Sequence, residues 1–228
     1  MKNVFGVFWN GIKIFWDELF VLVLMNLLTA ILLVPVVTFP PALAGLWNVA
    51  NLLSRGESIE WRDYFNGFKR YFWKSWAFTF INLVVFLLLY VNFTFYAPEV
   101  PPFNLRPEIS LWVRMFVIVI GALWLCLQMY PMAMLMEQDE QKILLALRNS
   151  AILLFANPGF SLVLALLLLL LAAASTLLPA LWAMITLALF AVICAGAVQH
   201  LLIPHRERLA VQTEADGDEE TSEYDVEE

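Results

Sequence analysis

The stretch from Phe160 to Ile203 contains no Asp, Glu, Lys or Arg, and it constrains the fold more than any other feature of the chain. As one α-helix at about 1.5 Å per residue it would be roughly 66 Å long, about twice the ~30 Å hydrocarbon core of a bilayer. It therefore has to fold back on itself, and the segment Ser175–Pro179 supplies the turn. The run predicts two membrane-spanning helices, over residues 160–178 and 180–203.

Other parts of the chain show the same pattern. Hydrophobic residues make up 62% of the 228 residues and charged residues only 14%, whereas a soluble domain carries about 25% charged residues. Further uncharged runs predict spans over residues 19–37, 75–96 and 109–136, and a short apolar helix over residues 41–53. We predict an all-α fold, a polytopic transmembrane helical bundle of five to six membrane helices, the second short or re-entrant, with amphipathic interfacial helices.

Charge divides the chain into two parts. Residues 1–208 form the predicted transmembrane helical domain, and residues 209–228, with nine acidic and no basic residues, form a predicted disordered acidic tail. If residues 41–53 return the chain to its starting side, eleven basic residues lie on the cytoplasmic side and two outside, Arg106 and Arg114, against nine and four in a five-span arrangement. The positive-inside rule therefore predicts a multi-pass protein of the bacterial plasma membrane with cytoplasmic N- and C-termini.

Residues 41–53 are the ambiguous element. They form too short a helix to cross a bilayer alone. A re-entrant half-helix, a short span buried against its neighbours and an interfacial helix are all compatible with this segment.

Two segments have the pattern of interfacial helices, residues 4–18 and residues 59–74. In the second, an aromatic stripe runs beside cations, which is typical of the headgroup level of a membrane. The adjoining span holds this segment on the bilayer, so we expect membrane lipids or a protein partner there and no nucleic acid. The stripe predicted for the first segment comprises Phe5, Phe8, Trp9, Ile12, Phe15, Trp16 and Leu19. The stripe of the second comprises Trp61, Phe65, Phe68 and Phe72. The candidate partner or lipid interface comprises Trp61, Arg62, Phe65, Phe68, Lys69, Arg70 and Lys74.

Prolines interrupt the first apolar run. Broken helices at membrane depth are how many secondary transporters build substrate sites, because their freed backbone groups can bind a ligand. Hydrogen bonds between helices explain the polar residues near the break equally well. The candidate helix break or polar site comprises Asn26, Pro35, Thr38, Pro40, Pro41 and Asn48.

The sequence offers little support for catalysis. The only histidines, His200 and His205, are five residues apart and do not share a helical face squarely. No serine elbow, P-loop, zincin helix or dinucleotide fingerprint is present. We therefore predict no enzyme, no metal site and no cofactor, and we assign Asp63 to helix capping. Ala188, Ala191 and Ala195 form a small-residue stripe that favours close approach of another helix.

A set of motifs lies between the start of the first predicted span and the start of the third: Asn26, Pro35–Thr38, Pro41-Ala42, Gly45, the Arg55–Glu57 turn and Asp63–Lys69. Together these motifs resemble the YesL-like family of bacterial integral membrane proteins of unknown function. The resemblance is dense over residues 19–75, and one position departs from the family pattern, since Tyr64 stands where phenylalanine is expected. It implies an accessory role in sugar uptake, because members are often encoded beside carbohydrate ABC importers, and it supplies no established site residues.

Two functions follow as hypotheses. The first is a non-enzymatic accessory or regulatory component associated with carbohydrate uptake, with importer subunits as partners. The second is a small oligomeric transporter or channel that uses the Pro35–Pro41 helix break.

Overall fold

The computed structural model describes residues 3–98 and 106–203 of the chain. Within those residues the chain folds into ten helices and no strand, which confirms the all-α fold expected from the uncharged runs. The predicted acidic tail, residues 209–228, lies outside the described residues. The helices are α1 Val4–Asp17, α2 Leu19–Leu32, α3 Phe39–Ser54, α4 Trp61–Arg70, α5 Phe72–Phe95, α6 Pro107–Leu127, α7 Pro131–Glu137, α8 Ile143–Ala156, α9 Pro158–Thr176 and α10 Trp182–Ile203.

Four segments are long and apolar enough to cross a membrane. These are α5, the Pro107–Glu137 segment that contains α6 and α7, α9 and α10. Helices α1 and α2 meet at a bend of 92° and would make a fifth span if they were taken together. A bilayer core of ~30 Å needs about 20 residues of helix, which each of the four supplies. The fold is therefore that of a polytopic membrane protein.

Helix α1 has two apolar faces instead of the single stripe expected from its sequence. Phe15 is only 3% exposed and points into the bundle, while Phe5, Trp9 and Trp16 are exposed. At Gly11 an added Cβ would lie 2.7 Å from Cγ1 of Ile193, so the glycine lets α1 approach α10 closely. With its right-angle bend to α2, the exposed aromatic face suits a helix that lies in the membrane interface.

Helix α2 is shorter than the predicted span over residues 19–37, and α3 contains the predicted short helix over residues 41–53. Helix α2 ends at Leu32, because residues 33–38 form a non-helical turn around Pro35. At 14 residues it is about 21 Å long, less than a bilayer core. Most of α3 is buried, and it packs against α2, α4, α5 and α7. Helix α3 is therefore a short helix that is buried against its neighbours.

The Arg55–Glu57 turn ends α3 in a Schellman motif. Gly56 adopts a φ of +77°, a left-handed conformation that favours glycine. The N–H of Glu57 donates to the carbonyl of Leu52 at 3.1 Å, and the N–H of Gly56 donates to that of Leu53 at 3.0 Å. This turn satisfies the last carbonyls of α3 and places Arg55 at the end of the helix.

The second half of the chain supplies most of the core. The predicted span over residues 109–136 is broken between α6 and α7, where Pro131 begins α7, and almost every side chain of α7 is buried. Helix α8 ends at Ala156, and Asn157 caps it directly before Pro158. Ala188, Ala191 and Ala195 are at most 1% exposed, so the small-residue face of α10 is buried in the bundle as predicted.

Candidate functional site

The Pro35–Pro41 break is an exposed turn closed by the chain's own hydrogen bonds. The hydroxyl of Thr38 lies 2.6 Å from the carbonyl oxygen of Leu32, and the indole N–H of Trp76 donates to the carbonyl of Val37 at 3.1 Å. Pro40 and Pro41 are buried in the first turn of α3, where a proline costs no helical hydrogen bond. The Thr38 hydroxyl and the Val37 carbonyl are therefore both bonded to groups of the chain itself.

Asn26 does not bond to this turn. Its side chain forms hydrogen bonds with the backbone of α10. The first turn of α10, Trp182–Thr186, is π-helical, which shifts the backbone hydrogen bonding by one residue. The Asn26 amide donates to the carbonyl of Trp182 at 3.0 Å, and its oxygen accepts from the N–H of Ala188 at 2.8 Å. The fully buried Asn26 side chain thus serves both sides of the π-helical turn.

Asn48 joins α3 to α4. Its amide donates to the carbonyl of Asp63 at 3.0 Å. Around it the helices are unusually close, since an added Cβ on Gly67 would lie 2.4 Å from Cβ of Asn48, and one on Gly45 would lie 2.7 Å from the carbonyl oxygen of Tyr64. Asn48 and two glycines therefore fix α4 on the surface of α3.

The six residues predicted as one polar site are thus not brought together. Asn26 bonds to α10, Thr38 bonds to the end of α2, and Asn48 bonds to α4. Each of these side chains satisfies backbone groups, which must find partners inside the protein where water is absent. This geometry agrees with the alternative explanation, in which these polar residues form structural hydrogen bonds and not a ligand site.

The inner face of α4 is anchored by Tyr64. This side chain is fully buried, and its hydroxyl lies 2.9 Å from Oγ1 of Thr29 in α2. Because the Thr29 hydroxyl also lies 2.8 Å from the carbonyl of Met25, to which it donates, the tyrosine is the donor in the Tyr64–Thr29 bond. Burial raises the pKa of Tyr64 to about 12, so the hydroxyl keeps its proton.

The outer face of α4 carries aromatic and cationic side chains that are exposed together. The guanidinium of Arg62 lies 5.7 Å from the ring centroid of Trp61, and the rings of Trp61 and Phe65 meet edge to face at 6.0 Å. A shallow cleft of about 360 Å³ lies among these side chains. We call this face the α4 surface; it comprises Trp61, Arg62, Phe65, Asn66, Lys69 and Arg70.

The predicted aromatic stripe lies partly on the exposed side of α4. Trp61 and Phe65 of the stripe are exposed, and the residues of α4 that pack inward are Tyr64 and Gly67. Phe68 is half-buried and lies beside the α4 surface, not in it. The carboxylate of Asp63 accepts from the N–H of Glu60 at 2.8 Å, which confirms its capping role.

Lys74 also differs from the other predicted interface residues. Its ammonium donates to the side-chain oxygen of Gln141 at 2.6 Å and lies 5.4 Å from the ring centroid of Tyr71. The amide of Gln141 in turn donates to the Tyr71 hydroxyl at 3.0 Å. Burial raises the pKa of Tyr71, so this hydroxyl stays protonated at neutral pH. Lys74 therefore holds the segment before α8 against the start of α5.

A buried carboxylate, Glu137, was not predicted as a site residue. Its side chain is 2% exposed and accepts from Nε of Arg55 at 2.8 Å, with Nη2 of Arg55 at 2.7 Å. The amide of Gln199 also donates to this carboxylate. The sequence places Glu137 at the edge of an apolar run, where an exposed side chain is the usual outcome. One signal for this ion pair was available in the sequence. Arg55 and Glu137 each follow a predicted apolar helix at the same face of the membrane.

We expect the Arg55–Glu137 pair to be asymmetric in its effect on stability. Replacing Arg55 with Met leaves a buried carboxylate without its guanidinium, and this should lower the free energy of unfolding by about 2 kcal/mol. Replacing Glu137 with Gln keeps an amide that can bond to Arg55 and Gln199, and should cost about 1 kcal/mol. Unfolding in mixed micelles of increasing denaturing-detergent content measures both values.

The double variant provides the control for this pair. Arg55→Met combined with Glu137→Gln has no buried charge to compensate, so its loss should be smaller than the sum of the two single losses. Strict additivity of the two substitutions would contradict the interaction.

The α4 surface combines exposed cations with exposed aromatic rings. Among residues 3–98 and 106–203 no group of three or more His, Cys, Asp or Glu side chains could hold a metal ion. The α4 surface instead offers Arg62, Lys69 and Arg70 for acidic groups and two aromatic rings for apolar contact. Its inner face is locked, so these side chains are presented by a fixed helix.

The fold and this surface define a polytopic membrane protein with a cation–aromatic face on a packed amphipathic helix. Residues 19–93 match the profile of a protein family of unknown function, DUF624. The matched segment begins with α2, ends near the end of α5, and contains the whole α4 surface. No curated protein matches the chain, and no solved structure matches it.

Proposed function

We propose that this protein is a non-enzymatic accessory component of carbohydrate uptake that binds a subunit of an ABC importer through the α4 surface. The observation that carries the proposal is the combined exposure of two aromatic rings and three cations on a helix whose other face is locked to α3. The proposal places the protein in the bacterial plasma membrane with both termini in the cytoplasm, as the distribution of basic residues predicts.

A locked helix is well suited to docking. Binding is weakened when side chains and segments have to be ordered on association, and this cost falls when the surface is already fixed. Gly45, Gly67 and Tyr64 fix α4 before any partner arrives. Tryptophan and arginine are also the residues most enriched among the side chains that dominate binding energy, and Trp61 and Arg62 lie next to each other here.

The charge of the surface indicates the chemistry of the partner. Arg62, Lys69 and Arg70 are all exposed, and the nearby Asp63 is engaged in capping α4. An acidic patch with an apolar centre on a cytoplasmic face would complement this arrangement. We assign the acidic patch to a carbohydrate importer because residues 19–75 resemble the YesL-like family. Members of that family are often encoded beside such importers.

The test is co-purification of importer subunits with matched charge variants. In the first variant Arg62 and Lys69 are replaced with Glu; in the control, Lys13 and Arg148, also exposed, are replaced with Glu, so both change the net charge equally. The tagged proteins are isolated in mild detergent from a host that expresses the importer, and recovered permease and ATPase subunits are quantified by mass spectrometry. We expect the α4 variant to lose at least about tenfold of the recovered importer subunits, since each lost interfacial charge pair is worth 1–2 kcal/mol or more.

Two outcomes would overturn the proposal. One is wild-type protein that recovers no importer subunit above a tag-only control. The other is equal recovery by the α4 variant and the Lys13/Arg148 control. Equal amounts of each protein in the membrane fraction show that insertion is unchanged.

A further inference from the structure

Arg114 stands out among the residues of the membrane-length helices. Within the described parts of α5, α6, α9 and α10, Arg114 is the one Asp, Glu, Lys or Arg that does not lie in the first or last turn of its helix. A charge at membrane depth is costly, and it usually marks a ligand, an ion pathway or a partner charge. The function proposed above does not use it.

No protein carboxylate compensates Arg114 in the described parts of the chain. None of the ion pairs within residues 3–98 and 106–203 includes it. Its guanidinium lies 4.0 Å from the ring centroid of Phe93 in α5, which stabilises one face of the cation. Its Nε is buried and has no hydrogen-bond partner. Within the described residues, the guanidinium of Arg114 therefore packs on the Phe93 ring and has no carboxylate partner.

An apolar cleft lies between α5 and α6, and sequence neighbours of Arg114 and Phe93 contribute to its lining. It has a volume of about 490 Å³, within the range of small-molecule sites. Val113, next to Arg114 in the sequence, and Asn92, next to Phe93, both line it. From Tyr96 to Val85 the lining follows α5 for 11 residues, or ~16 Å along the helix axis. The cleft thus runs from the charged end of the hairpin into its apolar part.

We propose that Arg114 and this cleft bind an anionic phospholipid. The phosphate accepts from the guanidinium of Arg114, and one acyl chain lies in the cleft between α5 and α6. The ligand is a lipid and not a second copy of the chain because a lipid supplies both requirements in one molecule: an anion at the depth of Arg114 and a thin apolar chain that continues inward from it.

The site lies on the side of the membrane that contains the α5–α6 connection. Arginine near the end of a span extends its head toward the interface while its stem packs on apolar surface. Its fork of N–H groups suits a phosphate better than a point charge does. Ser110, on the same side, donates to the carbonyl of Tyr96 and ties the two helices together at this end.

Native mass spectrometry with two lipids tests this proposal. Purified, delipidated full-length protein is mixed with equal amounts of phosphatidylglycerol and phosphatidylcholine of identical acyl chains, and the bound lipids are counted. For the wild type we expect about tenfold preference for phosphatidylglycerol, because both lipids carry the phosphate but the choline cation of phosphatidylcholine opposes the charge of Arg114. Arg114→Gln should bring the ratio close to one, and Arg114→Lys should keep most of the preference.

Two further variants separate the parts of the site. Val117 lines the cleft, and Val117→Trp should reduce the binding of both lipids by filling it. Arg148→Gln, at an exposed arginine of α8 outside the α4 surface, is the control for general attraction of anionic lipid and should leave the ratio unchanged. The proposal fails if Arg114→Gln keeps the wild-type ratio, if Arg148→Gln lowers it equally, or if Val117→Trp binds as much lipid as the wild type. Thermal unfolding of each variant shows that the comparison is made on folded protein.

Discussion

Asn26→Leu is expected to lower the free energy of unfolding by roughly 2–6 kcal/mol. The substitution keeps the size of the side chain and removes both of its hydrogen bonds, to the carbonyl of Trp182 and the N–H of Ala188. Both are backbone groups in a buried part of the bundle, and each unsatisfied buried group costs about 1–3 kcal/mol. Unfolding in mixed micelles of increasing denaturing-detergent content, followed by circular dichroism, measures the loss.

Asn92→Leu is the matched control. Asn92 is an exposed asparagine of α5 whose amide donates to the carbonyl of Leu88 in its own helix. The same substitution there leaves the backbone of α5 hydrogen-bonded and should change stability by less than about 0.5 kcal/mol. Equal losses for the two variants would show that Asn26 has no special role at the π-helical turn.

Gly67→Ala is expected to destabilise the protein by about 3 kcal/mol and to loosen α4 from α3. The new Cβ would lie 2.4 Å from Cβ of Asn48, an atom next to the backbone that cannot rotate away. The helices must separate, which weakens the bond from Asn48 to Asp63 and the contact of Tyr64 with Thr29. Limited trypsin digestion should show faster cleavage within α4, and the unfolding measurement gives the energetic loss.

Two further variants make this prediction specific. Gly196→Ala places the same methyl group in α10, where an added Cβ meets nothing within 4 Å, and it should be neutral or stabilising by up to about 1 kcal/mol. Asn48→Gly removes the opposing Cβ, so Gly67→Ala should cost less in that background than in the wild type. A Gly67→Ala protein as stable as Gly196→Ala would contradict the close packing of α3 and α4.

Sequence length and charge were sufficient to predict the fold class, because a run without charges has few alternatives to a membrane helix. The same patterns could not assign the faces of α4. Trp61 and Phe65 are apolar, and periodicity cannot distinguish a side chain that faces a membrane interface from one that faces protein. Gly67 and Tyr64 would have been a better indicator of the face that packs against α3, because they place a small residue and a large residue on that face.

The polar residues were harder still. Asn26, Thr38 and Asn48 are close in sequence and suggested one site, yet their partners lie in α10, at the end of α2 and in α4. The carbonyl to which Asn26 donates is 156 residues away in the chain, and local sequence carries no record of such a partner. Glu137 was missed for the same reason, since its burial depends on Arg55 and Gln199, each more than 60 residues away.

The central position of α10 has a consequence for biosynthesis. Asn26 bonds to a residue 162 positions later in the chain, and Gly11 packs against Ile193 in the same late helix. While the ribosome is still making the middle of the protein, α1 and α2 are already at the membrane without the surface that completes them. The bundle can close only after α10 leaves the translocon, so the early helices must stay separate or be protected until then.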